Sequence, residues 1–365
     1  MTMNSYIFNR VLKNSFLTEM TCKNPNKIAS QFSRTWPFQH PGKAILLMKN
    51  IINTVILIFP LAGFWLFPVP AHAGQGLPPE PPAPLGFEII HDVAIGKGGE
   101  ETLHAEILRP TDPAKAPDRA IIYVHGGGWG GNNKFEFGKA YFLAQHGYLV
   151  VGIQYRINIE AHWPAQIQDC KLGVRWLRAH AAEYHIDPER IGVFGHSAGG
   201  HLVSCLGTMN DPQYEGTGGY QGVSSRVQAV VDTSGPVDFT KGNFYDDSAF
   251  ITEAQKQRDT GMLLDLFGTT FAAQPQVWKS ASPIEHVAAG DPPFFIACGE
   301  KDPIVSSAQS VRFAAALRRA GVPVQLVVVK NANHGLSTIS GGPPADPSTT
   351  VLRAQICAFF DQYLK

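Results

Sequence analysis

The sequence predicts an α/β fold in which a mostly parallel, twisted central sheet carries helices on both faces. Short, almost continuous apolar runs such as residues 120–124 (AIIYV) are typical of strands that are covered on both sides. Segments with a helical spacing of apolar residues, such as residues 164–184, lie between these runs. Because strand and helix alternate along the chain, the strands are expected to run parallel.

The predicted elements follow one another from about residue 86 onwards. Residues 87–95 and 102–108 alternate apolar and polar side chains, which predicts two antiparallel strands. The other predicted strands cover residues 120–124, 148–155, 191–194, 227–232, 294–298 and 324–329, and the predicted helices cover residues 135–146, 164–184, 198–206, 305–320 and 350–363. Residues 209–290 interrupt this alternation and hold a short helix around residues 262–267, so we interpret them as a lid-like insertion over a site.

The composition fits a globular protein that acts on a small or neutral ligand. The chain has 365 residues, of which 44 % are hydrophobic and 16 % are charged, so a sizeable core can form. The formal net charge is zero, and the sequence has no acidic tail. This charge balance argues against a protein that binds nucleic acid.

The first 85 residues differ from the rest of the chain. The run 51–67 is almost entirely apolar, and the small residues Ala71 and Ala73 suit cleavage by a signal peptidase. We interpret residues 48–73 as a signal peptide, residues 1–47 as an upstream extension before the true start, residues 74–85 as a proline-rich linker and residues 86–365 as the folded domain. Export to the periplasm or the extracellular space is expected; a membrane anchor through residues 51–67 is the alternative.

The cysteines do not indicate a metal site. Cys22 lies in the proposed extension, and Cys170, Cys205, Cys298 and Cys357 are scattered without the CxxC spacing of zinc sites. Lone buried thiols are one interpretation, and a disulfide between Cys170 and Cys205 is the other.

A nucleophile motif lies between a predicted strand and a predicted helix. Residues 195–199 read GHSAG, which places Ser197 at a sharp turn with a glycine two residues away on either side. Such a turn is strained, and larger side chains at the two glycine positions would clash with neighbouring backbone. The first N–H groups of the following helix, beginning with Ala198, then point at an oxygen bound beside the serine.

A serine nucleophile needs a base, and the base needs an acid that orients it. His334 and Asp302 each follow a predicted strand, so both lie at the same edge of a parallel sheet as Ser197. The order serine, aspartate, histidine is that of one class of hydrolase. Glu300 is a competing acid only two residues from Asp302, and we expect it to point elsewhere.

Other histidines compete with His334 for the role of base. His180 and His185 lie on or beside a helix, where a solvated or capping side chain is expected. His201 follows Ser197 by one helical turn and is expected to pack beneath it. His196 adjoins Ser197 and is a candidate contact to substrate.

Residues 125–131 (HGGGWGG), here called the glycine loop, follow a predicted strand. A backbone can present several N–H groups to one oxyanion only where no Cβ blocks the approach. We expect Gly127 and Gly128 to donate to the oxyanion together with Ala198, and His125 to brace the loop through a hydrogen bond. Trp129 is interpreted as part of the pocket wall, with a packing role as the alternative.

Together these motifs resemble those of the α/β-hydrolase esterases. The resemblance rests on HGGGWGGN, QYR, PAQIQDCKLGVRWLRAHA, IDPERIGVFGHSAGGHL, ASPIEHV, DPPFFIACGEKD and NANHG, and covers roughly residues 86–365. The nearest group is similar to the bacterial feruloyl or acetyl-xylan esterases (BD-FAE-like), which are related to hormone-sensitive-lipase-like enzymes. Residues 236–265 depart from any pattern of that group.

The resemblance implies an α/β-hydrolase fold and hydrolysis of carboxylic esters by a triad of Ser197, His334 and Asp302, with no cofactor and no metal. The implied substrates are short-acyl esters or esters derived from plant polysaccharides. A serine peptidase or amidase on the same fold is the first alternative, although no propeller or large added domain is evident. A non-catalytic binding protein is the second, and the presence of all three triad residues argues against it.

Overall fold

The computed structural model of the protein describes residues 81–131, 134–246 and 248–365. The proposed upstream extension, the signal peptide with its alternative anchor at residues 51–67, and most of the proposed linker lie outside the described residues. Across the described part of the chain, no helix combines the length and the apolar character that a bilayer span needs.

Eight strands form one sheet in the order β1-β2-β4-β3-β5-β6-β7-β8. They are β1 (Phe87–Gly98), β2 (Glu101–Pro110), β3 (Ala120–Val124), β4 (Leu149–Ile153), β5 (Ile191–His196), β6 (Ala229–Thr233), β7 (Phe294–Gly299) and β8 (Val324–Val329). β1 and β2 are antiparallel, β2 is antiparallel to β4, and all other neighbours are parallel. The carboxyl ends of β3, β5, β7 and β8 therefore lie along one edge of the sheet.

The α-helices are α1 (Tyr141–His146), α2 (Ala165–Ala179), α3 (Ala198–Thr208), α4 (Glu253–Phe267), α5 (Pro275–Ser280), α6 (Ser307–Arg319) and α7 (Thr349–Tyr363). Short 3-10 helices cover Pro113–Lys115, Lys134–Ala140, Pro212–Tyr214 and Pro283–His286. Side-chain caps begin several of the helices: Thr252 accepts the Gln255 N–H at the start of α4, and Ser348 accepts the Val351 N–H at the start of α7.

Two apolar clusters cover the two faces of the sheet. The larger cluster packs α2, α3, α4, α5 and α6 on one face. The smaller cluster packs α1 and α7 on the other face. Because both faces are covered, every residue of β3, β6 and β7 is buried, whereas the edge strand β8 keeps partly exposed residues.

Most of the predicted elements are confirmed, and β3 and β8 have the predicted bounds. The helix predicted over residues 135–146 differs, because Lys134–Ala140 forms 3-10 turns and only Tyr141–His146 is α-helical. Gly138 lies within the 3-10 segment, and glycine destabilises an α-helix by about 1 kcal/mol relative to alanine. The helix predicted over residues 164–184 ends at Ala179.

The segment 209–290, interpreted above as one insertion, contains the central strand β6. It is therefore two connections on either side of a core strand. The helix predicted around residues 262–267 is longer than expected and begins at Glu253, and α5 was not predicted.

The cysteines Cys170, Cys205, Cys298 and Cys357 are buried free thiols. This agrees with the interpretation of lone thiols and not with the alternative disulfide between Cys170 and Cys205.

Candidate active site

Ser197 lies in the sharp turn between β5 and α3. Its backbone has φ 58° and ψ −122°, a conformation that residues with a side chain rarely adopt. A Cβ at Gly195 would overlap the Gly199 carbonyl, and a Cβ at Gly199 would overlap the Val124 carbonyl. The Ser197 N–H donates to the carbonyl of Thr233 at 2.9 Å, which ties the turn to the neighbouring strand. The two glycines thus allow α3 to begin directly above the ends of β3 and β5.

The side chains of Ser197, His334 and Asp302 form one hydrogen-bonded row. His334 Nε2 lies 2.9 Å from Ser197 Oγ, and His334 Nδ1 lies 2.8 Å from Asp302 Oδ2. Because a carboxylate only accepts, Nδ1 carries the proton and Nε2 can accept the serine proton. The other Asp302 oxygen accepts the N–H groups of Ile304 and Val305 at 2.8 and 3.0 Å. Asp302 is 2 % exposed, so its carboxylate is held rigidly away from water.

The loop that carries His334 is held by β6 and β7. Ser234 Oγ donates to the His334 carbonyl at 2.9 Å, across 100 residues of sequence. A Cβ at Gly299 would overlap the Asn333 carbonyl, so the end of β7 packs directly on this loop. Ser234 was not identified as a site residue from the sequence. Its position directly after β6 is the only feature of the sequence that could have indicated a place at this edge of the sheet.

The glycine loop turns back on itself at the end of β3. Gly127 and Gly128 have φ of 97° and 63°, a region that favours glycine. The Gly130 N–H donates to the Gly127 carbonyl at 3.2 Å and closes the turn. Among the residues that the structure describes, the N–H groups of Gly127 and Gly128 have no acceptor. The loop thus presents two backbone donors beside the turn that carries Ser197 and the first N–H of α3, that of Ala198.

His125 braces this loop, as predicted. Its Nδ1 lies 2.9 Å from the Gly126 carbonyl, and its ring stacks on Tyr155 with 4.3 Å between ring centroids. The Tyr155 hydroxyl donates to the His125 carbonyl at 3.1 Å. Both the side chain and the backbone carbonyl of His125 are therefore held in place at the start of the glycine loop.

Trp129 packs beneath the loop. Its side chain is 1 % exposed, and its indole N–H donates to His201 Nδ1 at 3.1 Å. His201 Nε2 in turn donates to the Ala281 carbonyl at 2.7 Å. Burial lowers the pKa of His201 to about 4, against the smaller effect of the hydrogen bond to Ala281, so the ring is neutral. This geometry agrees with the packing role of Trp129 and not with a pocket wall, and His201 lies beneath the turn as predicted.

His196 lies beside the triad histidine. Its ring centroid is 5.0 Å from that of His334, and its Nδ1 donates to Thr233 Oγ1 at 3.2 Å. The Thr233 hydroxyl donates its own proton to the Gly195 carbonyl at 2.9 Å. Burial lowers the pKa of His196 well below its usual value, and His334 adds to this effect. His196 is therefore a neutral side chain at the edge of the site.

Asp232 was not singled out by sequence reasoning. It is fully buried behind the Ser197 turn and accepts the Ser204 hydroxyl at 3.0 Å and the Gly235 N–H at 2.9 Å. A Cβ at Gly200 would overlap its Oδ1. Burial raises the pKa of Asp232 to about 7, because only two hydrogen bonds stabilise the charge.

Helix α4 supplies two further residues that sequence reasoning missed. A Cβ at Gly128 would overlap Met262 Sδ, so Met262 lies directly over the glycine loop. Asp259, one turn earlier, is 1 % exposed and accepts the Gln255 amide at 2.6 Å. The signal for Asp259 was its spacing to the buried residues Leu263 and Leu266, which places a carboxylate on the apolar face of the helix.

Comparisons with known proteins identify the family of the chain. Residues 106–317 match the family BD-FAE. Esterase LipQ of Mycobacterium tuberculosis is 36 % identical over 255 residues, which cover 67 % of this chain and 56 % of LipQ. The probable carboxylic ester hydrolase LipM of the same organism is 31 % identical over 309 residues, which cover 80 % of this chain and 66 % of LipM. The chain thus spans less than two thirds of the length of either relative.

Solved structures with a similar fold include esterases. A truncated form of a carbohydrate esterase from gut microbiota has a TM-score of 0.64 at 29 % identity, covering 78 % of this chain and 99 % of that one. A thermophilic esterase from Thermogutta terrifontis has a TM-score of 0.58 at 26 % identity, covering 76 % and 91 %. With the observed sheet order, these likenesses confirm the predicted α/β-hydrolase fold. Since the family match covers more than half of the chain, the protein belongs to the BD-FAE family.

Proposed function

We propose that the protein hydrolyses carboxylic esters with Ser197 as nucleophile, His334 as general base and acid, and Asp302 as the residue that orients the histidine. The observation that carries this proposal is the row of two hydrogen bonds, 2.9 Å from Ser197 Oγ to His334 Nε2 and 2.8 Å from His334 Nδ1 to Asp302. The esterases among the relatives support the same activity.

In the first half of the proposed reaction, His334 Nε2 takes the proton of Ser197 as Oγ attacks the ester carbonyl carbon. The carbonyl oxygen becomes an oxyanion, which accepts hydrogen bonds from the N–H groups of Gly127, Gly128 and Ala198. The buried carboxylate of Asp302 stabilises the positive charge on the imidazole ring. The C–O bond to the alcohol then breaks, and His334 returns its proton to the leaving oxygen.

In the second half, a water molecule loses a proton to His334 and attacks the acyl carbon bound to Ser197. The tetrahedral intermediate uses the same three N–H donors. When the bond to Oγ breaks, the acid leaves and Ser197 recovers its proton from His334. The sum is one ester and one water converted into one acid and one alcohol.

The proposed substrates are esters with a short acyl group, including esters of carbohydrates. One similar structure is described as a carbohydrate esterase, and Thermogutta terrifontis esterase 2 has been solved with butyrate and with propionate bound. Two side chains at the edge of the site are candidates for contact with a bound ester, Met262 over the glycine loop and His196 beside His334.

The test compares wild type with Ser197→Ala on p-nitrophenyl acetate and on a peptide p-nitroanilide. We expect wild type to turn over the ester, and the variant to lose about 10⁴-fold or more in kcat. Equal turnover of the ester by both proteins would contradict the proposed nucleophile. Faster cleavage of the anilide than of the ester by wild type would favour the amidase alternative.

The proposal includes export through residues 48–73, based on the apolar run and the small residues Ala71 and Ala73. N-terminal sequencing of the protein recovered from its natural host tests this, and cleavage directly after Ala73 is the expected result. Recovery of a chain that still contains residues 51–67 would favour the anchor.

A further inference from the structure

Helix α4 covers the glycine loop, and its position is fixed by several contacts. Met262 lies over Gly128, and Leu263 and Leu266 are fully buried in the larger apolar cluster. The backbone N–H of Trp163 donates to the carbonyl of Leu266 at 2.9 Å. The helix therefore forms a packed wall of the site, and its inward residues face whatever occupies the site.

Asp259 is one of these inward residues, and one of its carboxylate oxygens is unsatisfied. Oδ1 accepts the Gln255 amide at 2.6 Å, whereas Oδ2 is buried without a hydrogen-bond partner among the described residues. Burial raises the pKa of Asp259 to about 6, against opposing effects of Gln255, Arg258 and His334. At neutral pH the side chain thus carries a charge with one oxygen left for a donor. A buried carboxylate oxygen without a donor is costly, and native proteins seldom keep one without a use.

The place of Asp259 relative to the triad indicates which part of a substrate it meets. Asp259 interacts electrostatically with both His334 and Asp302. Residues three apart on a helix lie side by side, so Asp259 is next to Met262, which covers the glycine loop, and the two electrostatic interactions place Asp259 near the triad. In the proposed reaction His334 gives its proton to the leaving alcohol. The side of the site that contains His334 is therefore where the alcohol part of the ester is bound.

Asp259 has no place in the triad itself. Both ring nitrogens of His334 are already engaged, Nε2 with Ser197 and Nδ1 with Asp302. The carboxylate of Asp259 is therefore available to contact a bound substrate.

We propose that Asp259 is a specificity-determining residue whose Oδ2 accepts a hydrogen bond from a free hydroxyl group on the alcohol part of the ester. The preferred alcohol then carries a second hydroxyl next to the esterified one, as a diol or a sugar does. This inference rests on the proposed function, because it uses His334 as the group that protonates the leaving alcohol. A hydroxyl donor to a charged acceptor forms a stronger hydrogen bond than one between neutral groups.

The test uses two acetates of nearly equal size, 2-hydroxyethyl acetate, which has the donor, and propyl acetate, which has a methyl group in its place. The readout is the ratio of kcat/KM for the two esters in wild type, Asp259→Asn and Asp259→Leu. Comparing ratios between proteins cancels the intrinsic reactivity of the esters. Asp265→Asn is the matched control, since it makes the same change on the exposed side of the same helix. Circular dichroism verifies that each variant is folded.

We expect the ratio to fall about tenfold in Asp259→Leu, which cannot accept a hydrogen bond, and by less in Asp259→Asn. Asp265→Asn should keep the wild-type ratio. An equal loss for both esters in the Asp259 variants would overturn the proposal, because it would mean that Asp259 acts on His334 or on the fold. Asp259 variants that keep the wild-type kcat/KM for both esters, and therefore the wild-type ratio, would overturn the proposal as well. Failure of the proposed function is distinguishable, since wild type and Ser197→Ala would then turn over both esters equally.

Discussion

The indole N–H of Trp129 donates to Nδ1 of His201 across 3.1 Å and joins the glycine loop to the helix that follows Ser197. The two residues are 72 positions apart in the chain. The bond requires a neutral His201 ring, because the protonated ring has no acceptor atom. This buried pair thus links the loop that carries the backbone donors proposed for the oxyanion to the helix that follows the proposed nucleophile.

This pair predicts a pH-dependent stability. The pKa of His201 is about 4 in the folded protein, below its usual value of 6.5, so the unfolded chain takes up a proton first. The contribution of neutral His201 to the free energy of unfolding is complete above about pH 6.5 and is lost as the pH falls toward about 4. Wild type should lose about 3 kcal/mol of unfolding free energy over this window relative to His201→Gln, which does not titrate.

Urea unfolding of both proteins across this pH range checks the prediction. The comparison removes the effect of Asp232, whose raised pKa of about 7 acts in the opposite direction. Parallel curves for wild type and variant would show that His201 does not titrate between the folded and unfolded states as expected.

Gly127→Ala should lower kcat by about 10²–10³-fold, the effect of losing one oxyanion donor in other hydrolases. Gly127 has φ 97°, so a Cβ there strains the turn and moves its N–H group. Gly147→Ala is the matched control, because Gly147 has φ 108° at the end of α1 and open space around a Cβ. Both variants should lose about 1–3 kcal/mol of stability, and only Gly127→Ala should lose activity. A similar kcat for the two variants would exclude a donor role for the loop at Gly127.

Asp302→Asn should lower kcat by about 10⁴-fold with little effect on the fold. The amide can offer its NH₂ group to His334 Nδ1, which stabilises the ring form that cannot accept the proton of Ser197. Glu300→Gln is the control, since Glu300 accepts the Asn331 N–H at 3.0 Å, whereas His334 Nδ1 is paired with Asp302. Steady-state kinetics on p-nitrophenyl acetate measures both. A larger loss in Glu300→Gln would assign the acid to Glu300.

Glu215→Gln should destabilise the protein by about 2–3 kcal/mol, because it removes the partner of two buried cations. Lys171 Nζ and Arg175 Nη1 each lie 2.8 Å from a Glu215 oxygen, and their side chains are 2 % and 3 % exposed. The exposed pair of Glu253 and Lys256 on α4 gives the control, and Glu253→Gln should change stability by less than about 0.5 kcal/mol. Chemical denaturation of wild type, Glu215→Gln and Glu253→Gln measures their free energies of unfolding. Equal values for wild type and Glu215→Gln would mean that water satisfies Lys171 and Arg175 in the variant.

The chemistry at the sheet edge was predictable because it depends on local patterns. Ser197, Asp302 and His334 each follow an apolar run, and parallel strands bring the residues after such runs to one edge. The GHSAG turn and the glycine loop were readable for the same reason, since Gly195 packs against Gly199 within the turn and Gly127 and Gly128 adopt positive φ values.

Residues 209–290 show where local patterns were insufficient. A strand was predicted at residues 227–232, where β6 lies. Because its flanking segments are rich in polar and small residues, the whole segment was nevertheless interpreted as one insertion and not as two connections around a core strand. The neighbours of this strand, β5 and β7, lie far away along the chain and supply the hydrogen bonds that define it.

The sequence alone determined the order of the strands and of most helices, the turn at Ser197 and the identity of the residues at the sheet edge. Only the tertiary structure decided that Trp129 faces His201, that Ser234 holds the His334 loop and that Asp259 is buried with one oxygen that has no hydrogen-bond partner in the described part of the chain. Backbone conformation follows from neighbours along the chain. The surroundings of a side chain are set by segments that folding brings together from 70 or more residues apart, as the 72-residue and 100-residue separations of the first two contacts show.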